Sequence, residues 1–239
     1  MAALRAYRGG WTELVPLAAI FVVPAQLVLE LVTRSLPEGT GQPETAWSAA
    51  AALAALLAAL VTFAVAIVEQ GAMTWAAMRA LLGREPTLGR AASIGLRRFW
   101  SVLLVGVLVG LSVGLGLVLL IVPGLIVAVR LAVAMPALIV EDARGRAALR
   151  RSWRLVRGRS WMVAGVLVLA MFLSWMVAFA VGLVLGLIGL PDVVIGAVAQ
   201  IIATPLWALA SASAYVELRR RELASEDDLA VELERASPA

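Results

Sequence analysis

The residue types that most often carry proton transfer and metal binding are missing here: the chain has no His and no Cys. That removes the imidazole base, the thiolate nucleophile, the disulfide and the soft ligand set of a transition-metal site. What remains is sixteen carboxylates and twenty basic side chains, every one of them Arg, with scattered Ser, Thr and Tyr hydroxyls. They form no catalytic cluster along the chain, so neither an enzyme, a metal nor a cofactor is expected.

Four polar residues fall inside apolar stretches: Glu30, Arg130, Gln200 and Thr204. An ionised group there costs a few kcal/mol unless it is paired, hydrated or able to reach the interface. Arg130 lies six residues beyond Pro123-Gly124, roughly 9 Å into a span at about 1.5 Å per residue. Glu30 sits near the outer end of the first span at a comparable depth, and the two are expected to pair. A snorkelling Arg130 at the outer interface is the plainer alternative. Gln200 and Thr204 share a helical face and could line a cavity, although such groups more often bond neighbouring backbone.

A second set is interfacial. Glu69, Glu141 and Glu217 each follow a Val where a returning span is expected to leave the membrane. They are expected to pair with Arg on adjacent helices, with a proton relay as the alternative. Between 144 and 159, Arg146, Arg150, Arg154 and Arg157 form one stripe, and Leu149, Trp153 and Val156 the adjacent one. Spacings of three and four predict an amphipathic helix in the headgroup region, with Trp153 buried and the guanidinium groups reaching lipid phosphates. Ordinary topogenic charge is the bland alternative. Residues 87–99 resemble a weaker copy, and Trp161 marks the following interface.

These residues need a membrane to position them. The apolar fraction is 62% and the charged fraction 15%, where a soluble domain has about half and about a quarter. The spacing predicts spans over about 12–32, 47–68, 101–122, 125–140, 161–190 and 193–216, each measured against a hydrocarbon core of about 20 helical residues. The fold class is therefore all-α: a polytopic bundle of about six transmembrane helices in a domain over 1–218, with interfacial helices over 87–99 and 144–159. A charged tail over 219–239 follows, with a helix starting near Ser225. Pro123 and Gly124 are expected to form a tight turn between the third and fourth spans. Gly106, Gly110 and Gly114 make a small-residue ladder suited to close helix packing, within the chain or between copies.

Eighteen Arg fall on one side of this arrangement, while Arg34 alone falls on the other. The positive-inside rule then places both termini in the cytoplasm of a cell membrane. Phospholipids are the expected partners, together with a second copy or another membrane protein. Nucleic acid is not expected, because the Arg residues lie between spans. Trp11, Trp100 and Trp161 each open a span, and Pro37, Pro123 and Pro191 fall near the following turns. With the three Val-Glu pairs, they point to three repeated helical hairpins in parallel orientation.

Residues 121–161 carry a more specific pattern: Pro123-Gly124, Arg130, Pro136-Ala137, Glu141, Ala148-Leu149, Ser152 and Gly158-Arg159 ahead of Trp161. This pattern resembles the membrane domain of glycerophosphoryl diester phosphodiesterases and its stand-alone bacterial six-span relatives. The resemblance implies a membrane domain without the His-dependent catalytic domain that gives the family its name. It carries no activity to this chain.

Overall fold

The computed structural model describes residues 2–35, 49–220, 222 and 231, without the side chains of 2–12, 32–33, 35 and 49–51. The expected turn at Pro37, the entry at Trp47, the side chains of Arg5, Arg8 and Trp11, and the helix from Ser225 lie outside the described residues. The described chain forms helices α1 (Ala2–Ser35), α2 (Ala49–Leu81), α3 (Leu88–Arg97), α4 (Phe99–Leu119) and α5 (Ile121–Leu131). It continues through α6 (Ala134–Glu141), α7 (Arg146–Val156), α8 (Ser160–Leu187) and α9 (Asp192–Arg219), with no strand among the described residues. Among the described residues, six helical stretches are long and apolar enough to cross a membrane: Glu13–Leu31, Ala52–Leu81, Phe99–Leu119, Ile121–Glu141, Ser160–Leu187 and Asp192–Arg219. The chain is a multi-pass, all-helical membrane protein.

Its packing is uneven along the membrane normal, and the solvent explains why. Trp75 and Met78 of α2, Leu138 and Ile139 of α6, Val156 of α7 and Tyr215 of α9 are fully buried at the Arg-rich end. That end faces polar surroundings, so its apolar surface must be covered by protein. At the other end Leu53, Leu115, Val118 and Leu187 are exposed. Lipid tails solvate such side chains as well as protein does.

Two predicted boundaries move. Helix α2 continues to Leu81 and does not leave its apolar course at Val68-Glu69. The following residues, Gly71-Ala-Met-Thr-Trp-Ala-Ala-Met78, contain no proline and hold the helical path against α3. Gly95 of α3 permits that crossing: a Cβ there would lie 2.4 Å from the Val68 carbonyl oxygen.

The turn between α4 and α5 also shifts. Leu120 alone makes it, with φ −164° and ψ 141°. Pro123 and Gly124 then fall in the first turn of α5, where proline's missing N–H costs nothing. Gly124 serves close approach: a Cβ would meet the Leu117 backbone nitrogen at 2.6 Å, and one on Gly116 would meet Gly124 Cα at 2.8 Å. The predicted ladder does not serve this purpose. Gly106 makes ordinary contact with Met135 and Ile67, and Gly110 and Gly114 face open space. The hairpin tip, 118–122, is wholly apolar and exposed.

The fourth span is broken at 132–133. Pro136 has no N–H to offer the carbonyl one turn earlier, and the helix restarts as α6 just ahead of it. Asp142 and Gly145, both with positive φ, then reverse the chain into α7.

Candidate functional site

The break after α5 lets α7 lie beside it, and one hydrogen bond sets the register. Ser152 Oγ donates to the Arg130 carbonyl oxygen at 2.7 Å. Trp153, the next residue, then carries the Arg130 guanidinium 4.4 Å from its ring centroid. A part-exposed cation–π contact of this kind contributes about 1 kcal/mol. Arg130 Nε is buried without a hydrogen-bond partner among the described residues. Arg130 and Glu30 therefore do not pair. Glu30 Oε1 accepts from Arg34 Nε one turn along α1 at 2.6 Å. The expected pairing failed because the break after α5 turns Arg130 toward α7, which sequence depth alone did not reveal.

Next to this stack lies a groove of about 630 Å³ lined by Ser112, Val127, Leu131, Leu149, Arg150, Trp153 and Arg154. Its floor is apolar, and two Arg one helical turn apart stand at its edge. The Ser112 hydroxyl is committed to the Leu108 carbonyl oxygen at 2.7 Å, so the exposed guanidinium groups supply the free donors. The arrangement suits an anion attached to an apolar body. Arg146, Arg157 and Trp161 are exposed outside the groove. The buried face of α7 is Ala148, Ser152, Leu155 and Val156. It sits one residue away from the expected Leu149–Trp153 stripe, which leaves Trp153 part-exposed as the groove wall.

A second cluster ties three elements together at the end of α6. Glu141 accepts from Arg151 Nε at 2.6 Å and from Tyr215 Oη at 2.7 Å, and Arg219 Nε lies 3.3 Å away. Glu222 completes the ring with Arg151 and with Arg219 Nη1, the latter at 3.0 Å. The hydrogen bond from Arg151 holds the Glu222 carboxyl below the usual carboxylate range. Burial works against the Arg151 cation, but its bonds to Glu222 and Glu141 outweigh that and strengthen its hold on the proton. Nearby, Arg98 at the end of α3 donates to the Leu138 carbonyl oxygen at 2.7 Å and meets Asp142 Oδ1 at 3.2 Å. A cation thereby caps the carbonyl end of α6. Glu217 is half-buried in the last turns of α9.

Arg98, Arg151, Tyr215, Arg219 and Glu222 were not singled out from the sequence. Tyr215, Arg219 and Glu222 stand at helical spacings of four and three, a stripe that could have been read. Arg98 meets a helix forty residues away, and nothing local signals it.

Glu69 is corrected most. Among the described residues it pairs with no Arg of an interfacial helix, because α2 runs on for twelve residues beyond it. Its side chain is buried, it lines a cavity together with Thr204, and Oε1 has no hydrogen-bond partner among the described residues. Gln26 Nε2 donates to Gln200 Oε1 at 2.9 Å, and Thr204 Oγ1 donates to the Gln200 carbonyl oxygen at 2.9 Å. Gln200 and Thr204 are thus brought together with Glu69, a residue predicted to lie elsewhere.

No curated protein and no solved structure matches this chain. Residues 104–214, from α4 into α9, are similar to the family described as the membrane domain of glycerophosphoryl diester phosphodiesterase.

Proposed function

We propose that the chain is a non-enzymatic protein of the bacterial cytoplasmic membrane that handles anionic phospholipid at the cytoplasmic leaflet. The observation that carries this reading is the groove of α4, α5 and α7, where Arg150 and Arg154 edge an apolar floor formed by Val127, Leu131 and Leu149. A lipid phosphate would take the guanidinium N–H groups while its acyl chains follow the exposed apolar side chains of α4 and α5. Support for a non-enzymatic role comes from the composition, with neither His nor Cys, and from a family match that covers a membrane domain and no catalytic domain. The cytoplasmic placement rests on the Arg distribution.

The test is native mass spectrometry of protein extracted with phosphatidylglycerol and phosphatidylcholine. Arg150→Gln with Arg154→Gln should reduce retained phosphatidylglycerol severalfold and leave phosphatidylcholine unchanged. Equal retention in wild type and variant would remove the proposal.

A further inference from the structure

A different part of the bundle holds a buried carboxyl group that meets no Arg among the described residues. Two adjoining cavities of about 410 and 360 Å³ lie among α1, α2, α8 and α9. They share Ala66, Glu69 and Gln200. Among the described residues, no Arg lines either cavity. Glu69 is the one ionisable side chain among the described lining residues, 7% exposed, with Oε1 unpartnered among those residues.

The other polar lining groups, among them Gln26, Thr62, Gln70, Ser174, Gln200 and Thr204, are neutral. Thr204 stands twelve residues into α9, about 18 Å from its start, so the site lies well inside the membrane. A carboxyl at such depth is ionised only where a counter-charge accompanies it, and otherwise holds its proton. The lining suits one that brings several N–H donors. Amide and hydroxyl oxygens surround the carboxyl, and Phe63 and Trp207 contribute aromatic wall, which favours an organic cation over a bare ion. The volume exceeds what a single metal ion fills. Gln70 and Gln200 are exposed in the groove, so a ligand can enter from the side.

We propose that this cavity binds a primary ammonium group, with Glu69 as its counter-ion and Gln200 and Thr204 as neutral partners. The group belongs either to a small soluble amine or to the ethanolamine headgroup of a phospholipid. The proposal goes beyond the anionic-lipid reading of α7 and uses none of its residues.

The experiment is isothermal titration of ethanolamine hydrochloride and of sodium chloride into the full chain in nanodiscs of phosphatidylcholine. A parallel arm measures retained phosphatidylethanolamine by native mass spectrometry. Saturable ethanolamine binding, weakened at least tenfold by Glu69→Gln and partly kept by Glu69→Asp, supports a small amine. Retention of phosphatidylethanolamine that Glu69→Gln abolishes, without binding of free ethanolamine, supports the headgroup. Arg150→Gln with Arg154→Gln should change neither, which separates this proposal from the groove on α7. The proposal is overturned if wild type binds neither form, if sodium alone binds, or if Glu69→Gln binds like wild type.

Discussion

Tyr215 is buried in α9 with its hydroxyl on Glu141, where the carboxylate already meets Arg151 and Arg219. A hydrogen bond to a charged acceptor in such a place is worth about 1.5–3 kcal/mol. Tyr215→Phe should therefore lower the unfolding midpoint measured by sodium dodecyl sulfate titration, without changing the helical signal before unfolding. An unchanged midpoint would show that the hydroxyl adds nothing to the clamp. Arg130 teaches a related lesson about legibility. Its presence in an apolar run announced a residue needing compensation, and the apolar period around it was plain. Its compensation is an aromatic face supplied by another helix. That contact depends on how α7 is brought back after Asp142 and Gly145, and no local spacing encodes it.

At the level of helices, hydropathy was a good guide to spans and a poor guide to where helices stop. Apolar runs located the six long helical stretches within a few residues at most ends, because lipid imposes a minimum length on each. It did not locate the end of α2, whose last turns are apolar because they are covered by protein. The Val-Glu pairs mislead for the same reason: Glu141 ends α6, whereas Glu69 is interior to α2. The glycines divide similarly. Gly116 and Gly124 hold α4 and α5 together at their hairpin, while Gly110 has open space around it. Gly124→Leu should sharply reduce the yield of folded protein, because its Cβ has no room beside Leu117. Gly110→Ala should leave folding and the monomer's thermal midpoint unchanged. Both are read by fluorescence-detected size-exclusion chromatography, and similar profiles for the two variants would contradict the assignment of the contact.

Over the whole molecule, two kinds of cohesion divide the bundle. The Arg-rich end is held by a protein-covered core and by the ring of Glu141, Arg151, Arg219 and Glu222. The opposite half relies on lipid contact and on a few polar links such as Gln26 to Gln200. The single-residue link at Leu120 has a consequence for topology mapping. Every side chain from Val118 to Val122 is a bare hydrocarbon surface, with no headgroup-seeking residue to draw it outward. The corresponding α8–α9 link carries Asp192. Because the natural chain has no thiol, a single introduced Cys is the sole reporter. Leu120→Cys should resist a membrane-impermeant maleimide added from either face, whereas Asp192→Cys should react from one. Ready modification at Leu120 would mean that the tip surfaces. Its protection would mean that α4 and α5 stop beneath the water boundary, anchored in the acyl layer like a nail driven from the Arg-rich side.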